Sequence, residues 1–236
     1  MSYQVHPRGD TNANLFRGVP RLEDAHYIMQ NGCKMDPLTG DLNPGTNHEL
    51  VKGKGAACYL TDSLIAAAQY VCHSKETADG SKITHVHVVR FRWFGKDADV
   101  YRFKDKDKKW QNFVTINILE EWDRYKNSAE DTPQQKYYQT WKARFEDLEL
   151  IEGPMEDQNR DHYLNPNFWQ YAIIDPVSGS KSALKPAELY YNIPCSKVPA
   201  NPGVTDQMYL DGQYLGKKPT DGFKKLLQSL GAQVSQ

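Results

Sequence analysis

The spacing of hydrophobic positions in this chain changes repeatedly, and each change marks a new strand or helix. Near the start, Asn14-Leu15-Phe16-Arg17-Gly18 reads as a short strand that ends at a turn. Leu22, Ala25, Ile28 and Met29 then recur at helical spacing, and Gly32 stands where a C-terminal cap belongs. From Asp36 to Gly55 the periodicity is lost while Pro37, Gly40, Pro44, Gly45, Gly53 and Gly55 accumulate, which predicts a long surface loop. A strand over Ala57 to Thr61 follows. After it comes a helix through Ile65, Ala68, Gln69 and Cys72 that Asp62 or Ser63 can cap.

The alternation from Thr84 to Trp93 predicts a longer strand, and Asp99 to Phe103 predicts another. Trp110, Phe113, Val114, Ile118, Trp122 and Tyr125 fall at helical spacing between Asp107 and Asn127. Pro133 suits the first turn of a further helix carrying Tyr137, Tyr138, Trp141 and Phe145 on one face, and these aromatics read as core. Leu148 to Ile151 and Phe168 to Ile174 predict two strands, separated by the polar stretch Glu152 to Asn167. Beyond Pro176 the chain is richer in Pro, Gly and Ser, and it closes on an amphipathic helix through Phe223, Leu226, Leu227 and Leu230.

These elements lack the regular βαβ spacing and the glycine-rich turn of a doubly wound nucleotide fold. The expected class is therefore α+β, with a split, mainly antiparallel sheet and flanking helices. One domain over residues 1–194, with an extension over 195–236 packed on it, is the expected organisation.

Composition sets limits on this picture. Aromatic residues make up 11% of the 236, so a core can form although the mean hydropathy is low, and disorder does not describe the whole. Lys and Arg total 29 against 30 Asp and Glu, which gives no global attraction to nucleic acid or to an acidic membrane. The start, Met1 to Asp10, is polar, and nowhere do about 18 apolar residues follow one another. A cytoplasmic or nuclear protein without a membrane partner is expected. The cysteines Cys33, Cys58, Cys72 and Cys195 stand singly, with no Cys-x-x-Cys pair, and are expected to be reduced and mostly buried.

Common catalytic motifs are absent: there is no P-loop, no Gly-x-Ser-x-Gly elbow and no His-Glu-x-x-His helix. His85-Val86-His87 puts two imidazoles on one strand face, but no third ligand stands at a metal-site spacing, so a structural role is expected. Arg17 ends its strand with a guanidinium fork suited to a diphosphate or ribose, and Gly18 lets backbone approach a ligand closely. Gly53 to Ser63 runs from a glycine-rich turn through a strand into a helix start, where Thr61 and Ser63 can serve as helix caps or as ligand contacts.

Arg17, the segment Tyr59-Leu60-Thr61-Asp62-Ser63 and the helix from Leu64 to His73 resemble the first two signature regions of the ADP-ribosyltransferase superfamily, in its Arg-Ser-Glu branch. A similarity to a mostly bacterial ADP-ribosyltransferase-like domain family of unknown function extends further. It is carried by Tyr59-Leu60-Thr61, Trp110-Gln111-Asn112-Phe113-Val114, Glu152-Gly153-Pro154-Met155-Glu156-Asp157 and Gln170-Tyr171-Ala172, over roughly Leu15 to Leu184. That family often has His at the position of Arg17.

The resemblance implies a cleft for NAD, used as a substrate whose nicotinamide-ribose bond is cleaved and whose ADP-ribose passes to an unknown acceptor, protein or nucleic acid. Arg17 would anchor phosphate or ribose beside Gly18. Thr61 and Ser63 would order that arginine and the nicotinamide ribose, and Tyr59 would stack on nicotinamide or belong to the core. At the position of the family's catalytic glutamate stands Gln170. A carboxylate stabilises the oxocarbenium-like transition state of this cleavage, and loss of such a contact costs on the order of 10²–10³ in rate. Glu152, Glu156 or Asp157 on the preceding segment can supply the charge instead. Two alternatives stay open: a non-catalytic module that binds NAD, ADP-ribose or a peptide, and an NAD glycohydrolase.

Overall fold

The computed structural model describes residues 13–32, 57–74, 80, 82–93, 100–103, 107–108, 110, 129, 131–132, 135–136, 139–140, 150–154, 169–174, 184–199 and 221–235. Within them one eight-stranded sheet is built from β1 (Ala13–Val19), β2 (Ala57–Thr61), β3 (His85–Trp93), β4 (Val100–Arg102), β5 (Leu150–Pro154), β6 (Trp169–Ile174), β7 (Leu184–Pro194) and β8 (Gln233–Ser235). Their spatial order is β4-β5-β6-β2-β1-β3-β7-β8. Every neighbouring pair is antiparallel except β4 with β5. The α+β class and the mainly antiparallel sheet expected from the sequence are present.

Both sheet faces are covered, which is why β3 is buried along nearly its whole length. On one face Leu15, Val89, Phe91, Leu60 and Ile173 pack with Ala25 and Ile28 of helix α1 (Leu22–Asn31). On the other, Phe16, Val88 and Tyr190 meet Leu64 and Ala68 of α2 (Leu64–Ser74) and Phe223 and Leu226 of α3 (Asp221–Leu230). The amphipathic closing helix thus completes the second core layer, and β8 behind it joins the sheet beside β7. None of the helices among the described residues is long and apolar enough to cross a membrane.

Helix ends follow local chemistry. Gly32 takes φ 72° at the end of α1 and its N–H donates to the Ile28 carbonyl. Ser63 Oγ accepts from the Ala66 N–H at 3.0 Å and caps α2. After α3, Gly231 at φ 66° donates to the Gln228 carbonyl while Ala232 donates to that of Leu227, a paired closure that satisfies two of the helix's last carbonyls.

One strand was not foreseen, and one expectation is corrected. The Pro- and Ser-rich region after Pro176 contains the long strand β7, whose alternation is broken by Pro186 and by two register shifts against β3. Pro is tolerated there because Pro186 lies at the second shift, opposite Phe91, where the ladder is already irregular. The described cysteines are not reduced. Cys72 on α2 is bonded to Cys195, which follows β7 in a short 3-10 turn, their Cα atoms 5.3 Å apart across 123 residues of sequence. Cys58 is also disulfide-bonded, and no described cysteine is free. Single cysteines far apart in sequence give no sign of pairing until the fold brings them within bridging distance. The loop expected over Asp36 to Gly55 and most of the two helices expected after Asp107 and Pro133 lie outside the described residues; Trp110 of the first is buried.

Candidate functional site

The strands of Arg17, Thr61 and Gln170 are neighbours at the centre of the sheet. One row crosses β1, β2, β6 and β5: Phe16 stands opposite Thr61, Thr61 opposite Gln170, and Gln170 opposite Gly153. Directly opposed residues share a face, so Thr61 and Gln170, both buried, lie together on the side of α2 and α3. Tyr59, half-buried, alternates onto that same side.

Arg17 belongs to the next row. Leu15 and Val19 lie in the α1-side core and Phe16 in the other, so alternation directs Arg17 towards α1, opposite to Thr61 and Gln170. Strand β1 pairs with β3 along its whole length, from Ala13↔Trp93 to Val19↔His87, but among the described residues it pairs with β2 solely at Phe16↔Thr61. Arg17 is the residue of β1 that follows this pair.

Arg17 meets a sulfur rather than a carboxylate. Its Nη1 donates to Cys58 Sγ at 3.6 Å, a weak acceptor, and no described carboxylate lies within ion-pair distance. Burial pushes its pKa down, while Tyr70 on α2 and Asp24 on α1 act in the opposite sense and favour the charged form. Groups on both helical layers therefore act on one guanidinium. Asp24 is itself buried and held by a fork from Arg21, Nε to Oδ2 at 2.9 Å and Nη2 to Oδ1 at 2.7 Å.

Other candidates have structural work. Thr61 Oγ1 accepts from the Ser63 N–H at 3.4 Å, and Ser63 caps α2, so both hydroxyls take part in turning the chain from β2 into the helix. Gly18 faces α2 rather than an open cleft. A Cβ there would stand 2.2 Å from the Ala67 carbonyl oxygen and 2.9 Å from Val71 Cγ2, so this glycine admits the helix backbone where a ligand approach was expected. Glu152 is fully buried on β5 and accepts from Arg102 Nε at 2.6 Å. Its register partner Tyr171 lies in the α1-side core, which puts Glu152 on the face away from Gln170. Glu156 and Asp157 lie outside the described residues.

The imidazole pair of β3 is also accounted for. His87 Nδ1 accepts the Asn192 N–H at 3.2 Å, where Asn192 at φ 56° lies in the register shift between Val86 and Val88. Burial lowers its pKa, helped by His85 and His26 and opposed by Glu23 and Asp24. His85 Nδ1 lies 3.1 Å from Thr84 Oγ1.

Sequence reasoning missed Cys58, Tyr70, Asp24 and Arg102. Neither Asp24 nor Tyr70 carries a local signal of its distant partner. No protein-family model matches this chain, and no curated protein matches its sequence.

Proposed function

We propose that this chain is an ADP-ribosyltransferase-like protein that takes NAD as its substrate and holds the diphosphate on Arg17. The observation that carries this reading is the state of Arg17: a half-buried arginine whose charged form burial disfavours, with a neutral sulfur as its hydrogen-bond acceptor. A buried cation is costly unless it is paired, and a diphosphate offers the fork geometry that guanidinium favours. Thr61 and Gln170, adjacent across β2 and β6 on the sheet face opposite to Arg17, carry the hydroxyl and the amide that the resemblance assigns to the ribose.

A second reading, a non-catalytic NAD or ADP-ribose module, is favoured by one feature. Gln170 brings an amide where the resemblance calls for a carboxylate, and Glu152, the described acid of the preceding segment, is paired with Arg102 on the other face. Nicotinamide release separates the two readings. Gln170→Glu should raise it, since the new charge acts on the cationic transition state and little on the ground state. If Glu156→Gln or Asp157→Asn abolishes an existing activity while Gln170→Glu adds nothing, the acid follows β5 in sequence. Binding of NAD without release by the parent or by Gln170→Glu establishes the module instead.

Disulfides persist in oxidising compartments. The paired cysteines thus favour such a compartment over the cytoplasm or nucleus expected from the polar start.

A further inference from the structure

Cys58 is fully buried, disulfide-bonded, and the hydrogen-bond acceptor of Arg17 Nη1 at 3.6 Å. We propose that Cys58 is a redox control on the Arg17 anion site: in its disulfide it leaves the guanidinium open to a diphosphate, and when reduced its thiolate takes the guanidinium for itself. The inference rests on reading Arg17 as the diphosphate anchor.

A disulfide sulfur is neutral and a poor acceptor, so it satisfies little of the fork's demand for negative charge. Reduction by a dithiol cleaves the sulfur–sulfur bond, delivers two electrons and two protons to the two protein sulfurs, and leaves the reductant as a cyclic disulfide. The Cys58 thiol so formed lies against a cation. Burial in apolar surroundings opposes its ionisation, but a contacting guanidinium favours it, and Arg17 gains the anion its own burial demands. The proton leaves to solvent. Among the described residues, the other charged or titratable groups acting on Arg17 are Asp24 from α1 and Tyr70 from α2, and Asp24 already accepts two hydrogen bonds from Arg21.

Thiolate and diphosphate then compete for one fork. Coupling is reciprocal: reduction weakens anion binding, and a bound diphosphate makes the Cys58 disulfide harder to reduce. A tenfold difference in affinity corresponds to about 30 mV in the potential of a two-electron couple.

The test uses the full chain with Cys72→Ser and Cys195→Ser, so that the Cys58 disulfide is the one reduced. NAD and inorganic pyrophosphate are titrated against the oxidised protein and against the protein held in dithiothreitol, with circular dichroism confirming the fold. Affinity at least tenfold weaker in the reduced form is expected, and Cys58→Ser in dithiothreitol should bind as the oxidised protein does. Equal affinities in the two redox states overturn the inference. So does weakening that persists in Cys58→Ser, because it then comes from the lost cross-link and not from a thiolate, and so does unfolding on reduction. If neither ligand binds the oxidised protein, the NAD reading fails by itself, and the Cys58 thiol decides the redox inference. Its titration, followed by iodoacetamide rate, should fall below the ordinary thiol value of about 8.5 and move up in Arg17→Gln; a thiol at or above that value and indifferent to Arg17→Gln overturns it.

Discussion

Arg102 and Glu152 meet across parallel strands β4 and β5, Nε to Oε1 at 2.6 Å, with the carboxylate fully out of water. Breaking such a pair from one side leaves a buried charge uncompensated, which typically costs about 3–5 kcal/mol. Arg102→Met should therefore lower the urea midpoint strongly, and Arg102→Met with Glu152→Met should recover much of the loss. If the single variant unfolds like the parent, Glu152 is not held in the way described. Nicotinamide release, where present, should follow the folded fraction in these variants.

Gly18 makes a separate claim on packing. Since a Cβ would stand 2.2 Å from the Ala67 backbone oxygen, Gly18→Ala must push α2 away from β1, and overpacking of this kind costs about 1–3 kcal/mol or more. Denaturant unfolding measures it. A neutral Gly18→Ala would mean that α2 does not lie so close.

His87 links stability to pH. Its folded pKa is lowered, first by burial, and its Nδ1 must be unprotonated to accept from the Asn192 N–H. The unfolded chain then takes up a proton near the ordinary value of about 6.5 while the folded chain resists, so the unfolded state binds more protons and stability rises with pH across that window. Urea midpoints should be flat above about pH 7.5, where both states are neutral, and fall as pH drops through the ordinary histidine range. His87→Gln should flatten this segment of the profile. An unchanged profile in that variant would assign the pH dependence to other groups.

Local chemistry was legible where it acts over a few residues. The strand of Arg17, the Gly32 cap, β2 to its last residue Thr61, and the Ser63 cap of α2 can all be read from neighbours in sequence. Strand β7 could not, because Pro186 and Pro194 contradict the usual strand composition and the bulge opposite His87 breaks its alternation. The relation of Arg17 to Thr61 was hidden for a different reason. Which face each takes relative to the other depends on the register between β1 and β2, a non-local pairing in which a slip of one residue reverses every side chain. The pairing Phe16↔Thr61 sends Arg17 and Thr61 to opposite faces. The Cys72–Cys195 bond is hidden likewise, since it depends on where α2 docks against the end of β7.

The proposed hold of Arg17 on NAD is tested most directly by calorimetric titration of NAD into the oxidised protein and into Arg17→Ala. A charged hydrogen-bond partner contributes about 1.5–3 kcal/mol, so Kd should rise roughly ten- to a hundred-fold in the variant, with its fold unchanged by circular dichroism. Equal affinity in a folded Arg17→Ala, or no binding by the parent chain, would contradict the account.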